Sequence, residues 1–292
     1  MDQRLLLMHQ VMLADRPRMR AYDQALRETV EPGSIVVDVG AGTLALSLLA
    51  LRHGAGHVYA IEADPEMAAI AERIIATNDV KDRVSLIQGD ARVVRLPVKA
   101  DVVVSEMMGN LGPEEDMARV LDAAARRNLR PGGRIVPRRL TTSLAPIRFD
   151  GEGWGIWGRD FHGYRLDAVQ DSAEPRAQLH FFQRDPVLLG EPVPLPEGRD
   201  RTRPLRLELT RPGELHAILG FFTAELADDV VLSNFPSYPG CNWAVWIWPL
   251  RHTEVAAGDA VRVSVHAPAG SARARVATEW ELDCAIIRQR RP

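Results

Sequence analysis

Two glutamates nine positions apart, Glu106 and Glu115, lie in the stretch Ser105-Glu-Met-Met-Gly-Asn-Leu-Gly-Pro-Glu-Glu-Asp-Met117, directly after the apolar run Asp101-Val-Val-Val104. That run has the composition of a buried strand ending in a turn, so Glu106 leaves the carboxyl end of a sheet and Glu115 returns toward it. Both carboxylates then face one pocket. Like charges a few ångströms apart push one pKa up, so such a pair calls for a cation between them. The competing explanation is an acidic helix N-terminus, because Glu114, Glu115 and Asp116 precede a helical pattern from Met117 to Leu129. That accounts for Glu115 and leaves Glu106 unexplained.

A second chemical centre lies upstream. Ile35-Val-Val-Asp-Val39 is a short apolar strand entering Gly40-Ala-Gly-Thr43, and Leu44 to Arg52 has a helical pattern. Strand, glycine turn and helix make a nucleotide cradle: the glycines let the backbone approach a ligand, and the helix N-terminus offers free N–H donors. Gly40-x-Gly42-x-x-Ala45 also satisfies the dinucleotide pattern, with Glu62 about 20 residues on, where a ribose-binding acid belongs. Asp38, two residues before the first glycine, separates the two options. Its carboxylate would repel a pyrophosphate but attract the ammonium and sulfonium of S-adenosylmethionine. As a purely structural residue it would be a strand-end acid in an ion-pair network.

The elements that must position these residues alternate. Leu5, Met8, Met12 and Leu13, then Met19, Tyr22 and Leu26, recur at helical spacing and predict a helix interrupted near Pro17, suited to act as a lid. Beyond the glycine turn come a strand His57–Ile61 ending on Glu62, a helix Pro65–Thr77 and a strand Val84–Ile87 ending at Gly89-Asp90. A strand Ala100–Ser105, the helix from Met117 and a strand starting at Arg134 follow. This order predicts an α/β fold with a doubly wound parallel sheet over residues 1–137. After Pro137 short alternating segments take over, such as Leu205–Leu209, Trp243–Trp248 and Val261–Val265, and predict an antiparallel, barrel-like second domain over 138–292. Trp157, Phe161, Tyr164, Leu166 and Val169 predict an inserted helical arm whose exposed aromatics need a partner surface.

Composition narrows the classes. The 292 residues have 46% apolar and 26% charged content, ordinary for a soluble globular protein, and suffice for one large or two medium domains. A formal charge of −3 leaves no basic field for nucleic acid. Cys241 and Cys284 are too few for a disulfide framework and have no metal-ligand spacing, so no metal is expected. Apolar runs too short for a membrane span, and no signal-peptide pattern at the start, point to the cytoplasm.

At three separate places the sequence resembles the protein arginine N-methyltransferases, over nearly the whole chain. The carriers are Val37-Asp-Val-Gly-Ala-Gly-Thr43, the loop Ser105-Glu-Met-Met-Gly109 with Glu115-Asp-Met117, and His9-Gln-Val-Met-Leu-Ala-Asp15 followed by Arg18 and Tyr22. The resemblance implies a Rossmann-like methyltransferase domain, a β-barrel and a helical dimerisation arm at about 154–176, hence a homodimer. It implies that Asp38, Gly40, Gly42 and Glu62 hold S-adenosylmethionine, with Glu62 on the ribose, Arg18 on the carboxylate and His9 closing the N-terminal helix. Met12 and Met117 would flank the target nitrogen. The adenine-binding acid of the family falls near Arg92, so Asp90 and the Ala91 backbone are the expected adenine contacts. Where the family has Thr-His-Trp, this chain has Cys241-Asn242-Trp243. Asn242 can hydrogen-bond Asp15 but carries no proton, and Trp243 remains a wall for an alkyl stem or a cation. Leu44 replaces the third glycine and is expected to lie harmlessly within the helix.

A guanidinium is the cation this loop suits. It is charged up to very high pH and its nitrogens share one delocalised system, so it is a poor nucleophile until it is oriented. Bidentate bonds from Glu106 and Glu115 would orient the fork and draw positive charge toward the nitrogens they touch, leaving the remaining Nη to meet the methyl group. The expected substrate is a protein arginine, free arginine or another small guanidine, and the expected product S-adenosylhomocysteine. The alternatives are a related methyltransferase acting on a different nucleophile, and a non-catalytic cofactor-binding scaffold.

Overall fold

The computed structural model describes residues 3–174, 176–196, 203–237, 243–266 and 280–289. Asn242 and Cys241 lie outside them.

Five parallel strands run β1 (Ile35–Val39), β2 (His57–Glu62), β3 (Val84–Gln88), β4 (Ala100–Ser105) and β5 (Leu129–Val136), in the spatial order β3-β2-β1-β4-β5. β1 and β4 are central, and helices cover the sheet, so both read as continuous apolar runs without alternation. Strand order reverses between them, and a crevice opens at such a switch point beyond the carboxyl ends. In this register Asp38 pairs with Val104 and Val39 with Ser105, which brings the glycine turn and Glu106 out side by side.

The N-terminal pattern is two helices, α1 (Gln3–Ala14) and α2 (Arg16–Thr29). Asp15 caps α2, its carboxylate accepting from the Arg18 N–H, and Pro17 occupies the first turn, where a missing N–H costs nothing. α2 buries Ala21, Tyr22, Ala25 and Leu26 against the sheet, whereas α1 buries no residue and exposes Leu7, Met8, Val11 and Leu13. Helices α3 (Ala45–Arg52), α4 (Pro65–Thr77) and α5 (Met117–Asn128) complete this half. Leu44 is not inside α3: it precedes the helix in the left-handed region, φ +63°, with its side chain fully buried. The chain must still turn there as a glycine would, and burial of the leucine offsets the strain.

From Arg139 the structure is antiparallel. Strands β6 (Arg139–Arg148), β7 (Asp160–Phe161), β8 (Tyr164–Arg165), β9 (Gln178–His180), β10 (Val187–Leu188) and β11 (Val193–Pro194) are followed by β12 (Leu205–Glu208) and β13 (Gly213–Glu225). β14 (Val231–Ser233), β15 (Val245–Val255), β16 (Ala260–His266) and β17 (Glu281–Ile287) complete the set. One sheet is ordered β10-β6-β13-β15-β9 and a second β12-β16-β17. Trp246, Trp248 and Trp280 join Leu207, Leu215 and Val261 in a core of their own.

The arm differs from the expected helix. It consists of a 3-10 turn Gly153–Gly158, the hairpin β7–β8 and a second 3-10 turn Asp167–Ser172. Gly153, Gly155 and Gly158 weaken α-helix over that stretch, and all three fit tightly: a Cβ at Gly153 or Gly155 would meet Phe149 at 2.6 Å and one at Gly158 would meet His252 at 3.0 Å. Phe161 and Tyr164 remain 53% and 72% exposed at the hairpin.

Candidate active site

At the crevice a small cavity of about 60 Å³ is lined by His9, Met12, Arg18, Asp38, Gly40, Gly42 and Glu106, among others. It is small because α1 folds over it, with the His9 ring where a Cβ of Gly42 would stand, 2.6 Å away, while Met107 Sδ lies 2.8 Å from a Cβ position at Gly40. Glu62 spans the turn: Oε2 accepts from the Gly42 N–H and Oε1 from the Asp64 N–H, both at 2.8 Å.

Asp38 has two faces. One oxygen accepts from the Ser47 N–H at 2.9 Å and from the Ser47 hydroxyl at 2.6 Å, tying strand to helix. The other, Oδ1, is buried with no hydrogen-bond partner. Burial in low dielectric pushes this carboxyl up to about 6, against the Ser47 hydrogen bonds and together with the nearby Glu62 charge.

Across the crevice Glu106 is held. Arg18 Nη1 donates to its Oε2 at 2.9 Å, and the Met108 N–H donates to Oε1 at 3.2 Å. The same guanidinium stands 3.2 Å over the centroid of the Trp243 ring, so Trp243 does wall a cation, and the cation is Arg18. Tyr22 donates its hydroxyl to the Ser105 carbonyl at 2.9 Å, clamping α2 to the end of β4. Burial raises the Glu106 pKa, and the Arg18 charge opposes that rise. Glu115 ends the 3-10 turn Pro113–Glu115 at the exposed side of the loop; desolvation by the protein packed around its carboxyl, then the charges of Glu106 and Glu114, raise its pKa, and the Arg18 charge opposes the rise. Met117 is buried in the core at the start of α5, while Met12 is half-buried on the cavity wall.

The two expected adenine contacts stand apart. The Asp90 carboxylate is forked by Arg92, whose Nε and Nη2 donate at 3.0 and 2.7 Å, and neither Asp90 nor the buried Ala91 lines the cavity. Three residues that sequence reading missed grip the loop from the antiparallel half. Asn234 donates to the Asn110 carbonyl at 2.6 Å, Thr142 to the Leu111 carbonyl at 2.8 Å, and Trp246 to Glu114 at 3.0 Å. They lie 31 to 132 positions away, and no local spacing signals them.

Elsewhere, Glu214, His216 and His252 present ligand atoms within 4.8 Å of one another. His216 Nδ1 accepts from the Phe149 N–H, which puts the ring proton on Nε2, facing Glu214 at 3.0 Å. A neutral His216 in that state has no lone pair to offer a metal there. The group instead seams the arm to the sheet, with His252 Nε2 donating to the Trp154 carbonyl.

A parallel sheet with a glycine cradle and an acidic loop at its switch point, joined to an antiparallel domain, defines a Rossmann-like methyltransferase of two-part architecture. The family profile described as "Methyltransferase domain" matches residues 36–133. Protein arginine N-methyltransferase 1 of Chlamydomonas reinhardtii is 30% identical over 269 residues, 86% of this chain and 77% of that protein. Protein arginine N-methyltransferase PRMT10 of Oryza sativa subsp. japonica is 42% identical over 304 residues, 87% of this chain and 78% of that protein. The chain belongs to the protein arginine N-methyltransferase family. Its fold matches the solved Trypanosoma brucei PRMT1 enzyme-prozyme heterotetrameric complex with AdoHcy, with a TM-score of 0.73 at 23% identity over 91% of this chain and 90% of that one. No described helix is long and apolar enough to cross a membrane.

Proposed function

We propose that this methyltransferase moves a methyl group from S-adenosylmethionine to a guanidino nitrogen of a protein arginine, with Glu106 and Glu115 as the catalytic pair. The observation that carries the reading is that Glu106, at the mouth of the glycine cradle, already binds a guanidinium, that of Arg18. Glu115 is the adjacent carboxylate and is open to solvent.

The cradle suits the cofactor on two counts. Asp38 Oδ1 is a buried carboxylate oxygen without a partner on the cavity wall, suited to an ammonium, and at Gly40 and Gly42 only a bare backbone fits beneath Met107 and His9. When bound, S-adenosylmethionine supplies an electrophilic methyl carbon on a sulfonium. Asp38 takes the ammonium, Glu62 the ribose hydroxyls, Arg18 the carboxylate and the Ala91 backbone the adenine. Asp90 contributes once Arg92 releases it. His9 holds α1 down and keeps water out. Glu106 and Glu115 orient the target fork, and Met12 and Met117 confine its free Nη.

We assign residues 1–137 to the cofactor domain and 138–292 to a β-barrel made by the two antiparallel sheets. The exposed Phe161 and Tyr164 of the arm, and the exposed apolar side of α1, are the faces of a homodimer in the cytoplasm. Sizing a protein deleted for 154–176 tests this: a monomer is expected, and an unchanged elution volume refutes it.

The function is tested by incubating the protein with labelled S-adenosylmethionine and, separately, an Arg/Gly-rich peptide, free arginine and a guanidine-free control, with products read by mass. Methylated peptide arginine is expected. Methylated guanidine in none of the mixtures overturns the reading, and undiminished product with Glu106→Gln overturns the mechanism.

A further inference from the structure

We propose that Glu114 is a positioning residue for the reaction, fixing the turn that carries Glu115 and tying it to the antiparallel domain. This rests on the reading of Glu115 as a guanidinium ligand. Of the two catalytic carboxylates, Glu106 is anchored by Arg18 and the Met108 N–H. Glu115 has no side-chain hydrogen bond or ion pair among the described residues, so its location is inherited from its backbone.

That backbone has a few hydrogen bonds of its own, from the Asp116 N–H to the Pro113 carbonyl at 3.1 Å and between Gly109 and Gly112. The turn Pro113–Glu115 is three residues long and sits between two left-handed residues, Gly112 at φ +107° and Asp116 at φ +59°. Asp116 takes this conformation at a modest cost, since aspartate is one of the few residues besides glycine that visit it. The side chain in its middle adds a further hold, beside those of Thr142 and Asn234 on residues 110–111. Glu114 folds back beneath the loop, and its Oε1 accepts both the Leu111 N–H at 2.6 Å and the Trp246 indole N–H at 3.0 Å. One oxygen thereby closes the loop on itself and fastens it to β15. The fit is close on the other side as well: a Cβ at Gly109 would lie 2.5 Å from Glu114 Oε2, which is buried without a hydrogen-bond partner. A buried acid this closely enclosed is an anchor that only a glycine at 109 can accommodate.

When ionised the anchor also carries charge, and burial raises its own pKa. After burial and the Glu106 charge, the Glu114 charge is the next influence raising the Glu115 pKa. Geometry and charge therefore separate in two variants. Glu114→Gln keeps an acceptor oxygen for Leu111 and Trp246 and removes the charge; Glu114→Ala removes both.

The test measures kcat/KM for an arginine peptide against pH, and S-adenosylhomocysteine affinity by calorimetry, in wild type, Glu114→Ala, Glu114→Gln and Trp246→Phe. Expected are a loss of about 10- to 100-fold for Glu114→Ala, the scale of a misplaced reacting group, a smaller loss for Trp246→Phe, and cofactor affinity within about twofold throughout. Glu114→Gln should exceed Glu114→Ala and move the acidic limb of the profile to lower pH. Wild-type turnover in Glu114→Ala, an unmoved acidic limb in Glu114→Gln, or parallel loss of cofactor affinity overturns the proposal. If Glu114→Ala fails to fold, the Glu114→Gln limb and Trp246→Phe decide. A wild-type protein that methylates no guanidine refutes the function itself, whereas an active wild type matched by Glu114→Ala refutes only the anchor.

Discussion

Asp38→Asn separates the cofactor role of this carboxylate from its cost to the fold. Burial lifts the Asp38 pKa from 3.8 to about 6. An acid whose folded pKa is raised loses stability as pH climbs, because the unfolded chain ionises first while the folded one must stay protonated or bury a charge. The penalty is absent below about pH 4, grows between about 4 and 6, and is complete above. A shift of about two units at about 1.4 kcal/mol each amounts to about 3 kcal/mol near pH 7. Asparagine does not ionise, so the stability difference between Asp38→Asn and wild type should change in the variant's favour by about 3 kcal/mol between pH 4 and 7. Any constant offset from the changed hydrogen bonds to Ser47 cancels in that comparison. Urea unfolding of both proteins across this range measures it, and adding S-adenosylhomocysteine should stabilise wild type far more than the variant at pH 7. A difference that stays flat with pH refutes the account of a buried, charge-strained carboxylate.

Tyr22→Phe leaves the buried Ser105 carbonyl without its donor, and should cost about 1–3 kcal/mol in urea unfolding; an unchanged midpoint would show that the clamp between α2 and β4 is idle. Leu44→Gly relieves about 1 kcal/mol of left-handed strain but deletes a fully buried side chain worth about 2–5 kcal/mol. A net loss of stability is expected, and a gain would mean that strain dominates. Arg18→Ala leaves Glu106 without its ion pair and should destabilise by about 3 kcal/mol, with cofactor affinity falling in the same variant; an unchanged melting temperature would contradict this.

The βα alternation and the glycine turn were legible because both are written in short-range spacing, period 2 or 3.6 and a strand running into Gly40-Ala-Gly42. Glu106 and Glu115 are proposed as a pair on the same short-range grounds, since strand end and helix start bracket them. What stayed hidden depends on distance or on dihedral angles. Glu114 looked like one more helix-start acid because its partner, Trp246, is 132 positions away. Leu44 looked helical because nothing in its side chain announces φ +63°. The arm looked helical from its aromatics alone, whereas its three glycines within six residues decide for tight turns.

The grip of Asn234, Thr142 and Trp246 on residues 110–114 makes the antiparallel domain act like a permanently bound effector of the loop. Order in the acidic loop is linked to folding of that domain by the same arithmetic that links any ligand to the state it prefers. The cofactor cradle depends on that domain less directly: Asp38, Gly42, Ser47 and Glu62 hold one another within the parallel sheet and its helix, and Arg18 rests on Trp243. Heating should therefore uncouple the two abilities in a fixed order. Turnover disappears as the antiparallel domain loosens, while the cradle goes on binding cofactor to a higher temperature.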